Sequence, residues 1–271
     1  FFEWLLVKLG VKYIVDYDDA IFHNYDLAKS KYARFFLGKK IDSVMKGAHT
    51  VIAGNDYLAE RAKSAGAKNI VIIPTVVDTT RYAFKQKKNG EILTIGWIGS
   101  PSTQKYVVQI KPALDWLSDK YNIRILLVGA TNSVVDELAG LNVVVEEWTE
   151  KTEVTSIQKM DVGIMPLQDG PWEKGKCGYK LIQYMACSVP VVASPVGVNT
   201  EIVKNANCGF LATTLDEWQM ALDKILCSDS VRLCFGVNGC TMVNDKYCLQ
   251  VQKFNILNCL TDTVLPSGSI Q

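Results

Sequence analysis

From residue 11 onward the chain alternates short β-branched runs with longer segments of helical spacing. Residues 11–15 follow Gly10 and lead into Asp16, Asp18 and Asp19, which predicts a buried parallel strand with polar residues at its carboxyl end. Residues 25–46 have helical spacing with a polar face. Residues 49–53 predict a second short strand running into Gly54, Asn55 and Asp56, with a helix over 57–65 after the Asn/Asp cap. A third strand over 70–73 is stopped by Pro74. Strand, helix, strand, helix, strand is the order of a doubly wound α/β layer.

A polar stretch over 79–90, with Lys85, Gln86, Lys87, Lys88 and Asn89, reads as a linker, and the alternation then restarts. A strand over 92–98 meets Gly99, Ser100, Pro101, Ser102 and Thr103, and a helix follows to about residue 121. Then come a strand over 124–128 ending at Gly129, a short helix, a strand over 143–145, a helix through 157, and a strand over 162–165. A long loop, a helix over 179–187 and a strand over 190–193 complete a doubly wound domain. Further helices are expected over 218–226, 231–243 and 249–260, before a tail that contains Ser and Gly. The expected division is 1–80 for the C-terminal part of a first lobe, 81–245 for a second, and 246–271 for a helix returning to the first lobe plus the tail. The first series holds few strands for a sheet, and a helical pattern (Phe2, Leu5, Leu6, Leu9) begins at once, so the first lobe is expected to be incomplete.

Charge and cysteine usage narrow the function classes. Lys and Arg total 29 against 28 Asp and Glu, a net charge of +1, so there is no one-signed field to draw nucleic acid or an anionic membrane, and any anion site must be local. No apolar run reaches the roughly 20 residues that cross a bilayer, and residues 1–9 lack the basic start and cleavage site of a signal peptide. The expected location is cytoplasmic, with the inner membrane face left open for a lipid-linked substrate. All eight cysteines lie at Cys177 or beyond, with no CxxC pair and no His cluster, so neither zinc nor redox chemistry is indicated and buried free thiols are expected. Cys177 sits near Lys176 and Lys180, a setting that can lower a thiol pKa.

Three strand ends carry candidate chemistry. At Gly99, a glycine followed by Ser100, Ser102 and Thr103 at a helix start can present amide hydrogens and hydroxyls to a phosphate, with Pro101 in the first turn and Lys105 adding charge. The competing reading is an ordinary strand-to-helix turn with a capping serine. The loop 166–178 is long and rich in special residues. It leads to Lys176 and Lys180, spaced i to i+4, which could converge on a diphosphate if the helix starts near Lys176; a solvated lysine face is the alternative. The strand over 190–193 ends in a loop bearing Gly197 and Asn199. Such ends would line the crevice at the carboxyl edge of one sheet.

The runs Asp161-Val-Gly-Ile-Met-Pro-Leu, Lys176-Cys-Gly-Tyr-Lys-Leu-Ile-Gln-Tyr-Met-Ala, Val189-Pro-Val-Val-Ala-Ser-Pro-Val-Gly and Glu201-Ile-Val resemble the donor region of retaining GT-B glycosyltransferases, family GT4. Ile72-Ile-Pro with Asp78, Ile95-Gly-Trp-Ile-Gly, and Val15-Asp-Tyr-Asp-Asp-Ala-Ile are similar to further segments of that family. The resemblance implies two Rossmann-like doubly wound lobes, the N-terminal one incomplete here. It implies transfer of a hexosyl group from a nucleoside diphosphate sugar to a glycan or glycolipid with retention. Catalysis would come from positioning and charge stabilisation. Lys176 and Lys180 are the implied catalytic cations, with Lys176 and the Gly99 turn stabilising the leaving phosphate. Gly99, Ser100, Ser102, Thr103, Lys105, Glu147, Glu173, Gln183, Gly197 and Asn199 are the candidate donor-binding residues.

The match departs from the family at its E-x7-E pair: the second Glu is Gln183, which can still bind a ribose hydroxyl, and the first falls on Gly175, leaving Glu173 or Asp169 as sugar contacts only if the loop is shifted. Glu147 could contact base or ribose, or be a surface carboxylate. No metal or cofactor beyond the donor is implied, and Asp18 and Asp19 are expected to be structural or to face the other lobe, with acceptor contact the alternative. His23 and His49 are expected to be structural. Partners would be the nucleotide-sugar donor and a glycan or lipid-linked acceptor, with no nucleic acid and with peripheral membrane contact left open. The alternatives are a nucleotide-sugar-binding fragment without activity and a GT-B epimerase, the latter needing acid/base groups that the sequence does not offer.

Overall fold

The computed structural model describes residues 2–82 and 92–264; most of the polar stretch 79–90 and the final residues of the tail lie outside them. The chain divides into two compact units: Phe1–Thr75 with Asp169–Cys177 and Gln250–Gln271, and Val76–Gln168 with Gly178–Leu249. The segment Asp169–Cys177, which the sequence assigned to the second lobe, therefore belongs to the first unit.

The first unit is built on three parallel strands, β1 (Ile14–Tyr17), β2 (Thr50–Ala53) and β3 (Ile70–Ile72), in the order β1-β2-β3. β1 begins three residues later than the apolar run suggests. All four residues of β2 are buried and set the register, pairing Ile14 with Thr50, while Val11 stays 48% exposed. The helix expected over 25–46 is instead three: His23–Asp26, Lys31–Leu37 and Lys40–Gly47. Ser30 starts the second by accepting a hydrogen bond from the Ala33 amide, and Gly38 ends it. Tyr17, Phe22, Met45, Val51 and Leu58 form the core on one side of this sheet, while Ile52, Ile73 and Cys259 of the helix Leu249–Val264 pack together in a smaller cluster.

Asn55 holds this unit together through three elements. Its Oδ1 accepts from the Leu58 amide (2.9 Å) and caps the helix Asp56–Ala65, which ends on Gly66 in the left-handed conformation. Its Nδ2 donates to the carbonyls of Gly175 (3.0 Å) and Lys176 (3.2 Å), anchoring the returning segment. The fit at Gly175 is close: a Cβ there would lie 2.3 Å from the Ala20 Cβ.

The second unit is a six-stranded parallel sheet: β4 (Leu93–Ile98), β5 (Ile123–Val128), β6 (Val143–Glu146), β7 (Val162–Met165), β8 (Val191–Ala193) and β9 (Gly209–Leu211), in the order β6-β5-β4-β7-β8-β9. β9 has no counterpart in the sequence reading, because it is only three half-buried residues long and opens on glycine. Alternate residues feed two cores. Ile95, Trp97, Ile125 and Leu127 face Leu114, Leu117, Trp218 and Leu222; Ile98, Leu126 and Val128 share the opposite core with Leu181, Ile182 and Met185. The helix expected to follow the Gly99 turn to about residue 121 is broken into a 3-10 turn (Pro101–Thr103) and the helices Lys105–Gln109 and Lys111–Lys120. Pro112, which has no amide hydrogen, sits in the first turn of the last. Thr214 and Glu217 cap the helix Leu215–Leu226 reciprocally.

Strand order reverses between β4 and β7, and there the ladder is short: only Ile95 pairs with Val162 and Gly96 with Gly163. Beyond these pairs the Tyr184 hydroxyl takes over. It accepts from the Ile98 amide (2.9 Å) and donates to the Ile164 carbonyl (3.3 Å) from a fully buried position, and its ring lies where a Cβ on Gly163 would be, 2.5 Å away.

Tyr184→Phe leaves a buried amide and carbonyl without this partner, so a loss of about 2 kcal/mol in unfolding free energy by urea titration is expected. Asn55→Ala removes a helix cap and the anchor of Asp169–Cys177 together. It is expected to cost about 3 kcal/mol, read from the unfolding of the first unit and from faster proteolysis at 169–177.

Candidate active site in the second unit

A crevice of about 630 Å³ opens beyond the carboxyl ends of β4, β5 and β6, lined by Gly99, Ser100, Pro101, Gly129, Ala130, Thr131, Asn132, Val145, Glu147 and Trp148. Its floor is two glycine turns in contact. The Gly99 amide donates to the Val128 carbonyl (2.9 Å) and the Gly129 amide to the Glu146 carbonyl (2.8 Å). Gly129 has φ +81°, and a Cβ on it would fall 2.2 Å from the Gly99 carbonyl oxygen. Gln104 ties the turns together from behind: its Nε2 donates to Thr131 Oγ1 (3.0 Å) and its Oε1 accepts from the Thr131 amide (2.9 Å).

The walls carry hydroxyls, a cation and an aromatic ring. Ser100 Oγ lies 3.0 Å from Ser102 Oγ and 3.4 Å from Thr103 Oγ1, a cluster just past Gly99. The Lys180 ammonium stands 4.4 Å from the centre of the buried Trp97 ring, where a Cβ on Gly99 would come within 2.6 Å of it. Trp148 Nε1 donates to Glu153 Oε2 (2.9 Å), and the other oxygen of this buried carboxylate accepts from the Tyr82 hydroxyl. Burial, and then the hydrogen bond to Glu153, push the Tyr82 hydroxyl far above its ordinary pKa, so it stays a donor.

Of the residues picked from sequence, Gly99, Ser100, Ser102, Thr103 and Lys180 gather at the first turn, and Glu147 lines the crevice from the end of β6. Lys105 lies exposed on the next helix with its ammonium over the Tyr106 ring (5.1 Å). Gln183 is 3% exposed and hydrogen-bonds Tyr82. Gly197 (φ +54°) and Asn199, whose Nδ2 donates to the Ser194 carbonyl (3.2 Å), shape the turn after β8. Lys176 and Glu173 belong to the first unit. There Lys176 Nζ is 3.4 Å from Asp19 Oδ2, and a Cβ on Gly170 would meet Glu173 Oε2 at 2.3 Å. Lys176 and Lys180 do not share a helix turn: Gly178, at φ +72°, breaks the backbone, and the helix begins at Tyr179.

Sequence reasoning missed Gln104, Thr131, Asn132 and Trp148. The signal for two of them was present, since Gly129-Ala-Thr-Asn-Ser repeats the pattern of strand, glycine and hydroxyls seen at Gly99. The expectation for Cys177 is overturned: burial in the first unit's core, with Asp18 and Asp19 adding to it, pushes its thiol up to about 12. Not all cysteines are buried either, since Cys227 and Cys234 are exposed. His23 is structural, bridging Asp26 (2.7 Å) and the Tyr57 hydroxyl (2.9 Å).

A parallel sheet with order reversal, glycine turns and a crevice at its carboxyl edge defines a Rossmann-like nucleotide-binding unit. The chain belongs to the glycosyl transferases group 1 family, whose pattern matches residues 90–228, and it is a glycosyltransferase of the GT-B fold. No curated protein matches the sequence. Among solved structures, sucrose-phosphate synthase from Thermosynechococcus elongatus is 16% identical with a TM-score of 0.76, covering 95% of this chain and 71% of its own. HepE from Anabaena, solved with UDP and glucose, is 14% identical with a TM-score of 0.75, covering 96% and 74%. WaaG, a glycosyltransferase involved in lipopolysaccharide biosynthesis, is 12% identical with a TM-score of 0.67, covering 94% and 80%. At these identities the likeness carries the fold.

Burial and the raised thiol pKa keep Cys177 protonated and out of reach of reagent at pH 8, whereas the thiols of Cys227 and Cys234 are open to solvent. Peptide-mapped alkylation at pH 8 should label Cys227 and Cys234 in the native protein and Cys177 only after denaturation.

Proposed function

We propose that the chain transfers a hexosyl group from a nucleoside diphosphate sugar to a glycan or glycolipid acceptor with retention of configuration. The observation that carries the reading is the crevice at the carboxyl edge of the second sheet, with a hydroxyl cluster and a lysine at one end and an aromatic ring with a carboxylate at the other. The diphosphate would lie at the Gly99 turn, taking hydrogen bonds from Ser100, Ser102 and Thr103 and charge from Lys180. Base and ribose would lie along Gly129, Thr131 and Trp148, with Glu147 accepting from a ribose hydroxyl. Lys180 and the turn would stabilise negative charge on the leaving diphosphate as the glycosidic bond breaks, so the rate gain would come from fixed electrostatics rather than from a covalent nucleophile. Family membership, and the UDP and UDP-glucose complexes of the structurally similar HepE, support a nucleotide sugar as donor.

The test is calorimetric titration of the chain with UDP, GDP and ADP and their sugars, followed by transfer assays with the anomeric configuration of the product read by NMR. One nucleotide series is expected to bind. Lys180→Ala should weaken it by about 10- to 100-fold through loss of a charge-assisted hydrogen bond, and Gly99→Ala should abolish it by placing a methyl group on the Trp97 ring and Lys180. Absence of binding by the folded chain would overturn the donor site. Donor epimerised without transfer would replace the reading by that of an epimerase, and binding without turnover by that of a binding module.

A further inference from the structure

In the second unit the loop 147–152, between β6 and the helix Glu153–Ile157, carries Glu147 and Trp148 to the crevice and is exposed along its whole length. Packing does not fix such a segment, but a second piece of chain does: the turn 78–82. This turn closes on itself, the Arg81 amide donating to the Asp78 carbonyl (3.0 Å) while Asp78 Oδ1 accepts from the amide (3.1 Å) and hydroxyl (2.8 Å) of Thr80. Its root is held as well, because the Val77 amide donates to the Tyr247 carbonyl (3.0 Å) and the Val77 carbonyl accepts from the Leu249 amide (2.9 Å).

Two side chains of the turn reach the loop. Arg81 Nη2 donates to the Glu150 carbonyl (3.0 Å), and its Nη1 lies 2.8 Å from Glu150 Oε1. Tyr82, buried in the core, donates to one oxygen of Glu153, whose other oxygen accepts from the Trp148 indole nitrogen (2.9 Å). Gln183 hydrogen-bonds the same phenol, so a chain of polar groups runs from the helix Tyr179–Ala186 out to the ring. An indole N–H only donates and a carboxylate only accepts, which fixes the edge of the ring that faces inward. Trp148 is 47% exposed, and without that bond its ring would have to be ordered by the ligand at the ligand's expense. We propose that Tyr82 and Arg81 are positioning residues for the nucleoside end of the donor, touching no ligand and acting through Trp148. The role rests on the reading of the crevice as a nucleotide-sugar site. It has no sign in the sequence, where 79–90 reads as a linker.

The full chain is to be titrated with UDP, GDP and ADP, and the tightest binder carried through a double-mutant cycle. Tyr82→Phe is expected to weaken binding about tenfold and Trp148→Phe about tenfold, with the double variant no weaker than Trp148→Phe alone. Arg81→Ala removes an exposed side chain, so the fold should survive it; a loss of about threefold is expected, again absent in the Trp148→Phe background. In the ligand-free chain with isotope-labelled tryptophan, the Trp148 indole N–H resonance, identified by its loss in Trp148→Phe, should shift and broaden in Tyr82→Phe. The proposal is overturned if Tyr82→Phe and Arg81→Ala leave the affinity unchanged, if they weaken it as much in the Trp148→Phe background as in the parent chain, or if the resonance does not move. Should no nucleotide bind while the resonance still moves, the fault lies in the reading of the crevice and the donor role falls with it, which tells the two failures apart.

Discussion

The second unit depends on the parting of two neighbouring strands. β4 and β7 are bonded only at Ile95 with Val162 and Gly96 with Gly163, after which their connections leave toward opposite faces of the sheet. Parting exposes backbone donors and acceptors at the centre of a dry core, and such groups are expensive unless paired. One phenol pairs them: Tyr184, on the helix Tyr179–Ala186, bonds to both strands. The glycine at 163 makes room for its ring, and the glycine at 96 makes room for the Met160 side chain.

Around the crevice beyond β4, β5 and β6 the polar groups are arranged in pairs that fix one another. Gln104 uses both ends of its amide on Thr131, so the loop after β5 is referenced to the loop after β4. Glu153 spends one oxygen on Trp148 and the other on Tyr82, so the ring lining the crevice is held by a buried carboxylate. Such second-layer bonds locate the groups that would touch a ligand and cost no ordering when it arrives.

Much of this was legible in the amino-acid sequence, for physical reasons that also mark its limits. Strands buried on both faces are near-continuous apolar runs, and β7 and the carboxyl ends of β4 and β5 fall where those runs stop. The glycines at strand ends announced the turns, and the family-like motifs pointed to the family whose pattern matches residues 90–228. What failed was whatever depends on long-range pairing. β1 starts late because β2 sets its register; the helix over 25–46 fragments because Ser30 and Gly38 act as a start and a stop; Asp169–Cys177 joins the first unit because Asn55 reaches across 120 positions of chain to hold it. Trp148 gave no local sign at all, since its place is fixed by Glu153.

The contact between Gly99 and Gly129 limits how this crevice could be remodelled. The carbonyl of one occupies the space that any side chain on the other would need. The loops after β4 and β5 can therefore lengthen, shorten and change their outer residues, but their first positions form a single unit of inheritance. Ligand preference would evolve from Thr131, Asn132 and Trp148 outward, over a floor that cannot drift.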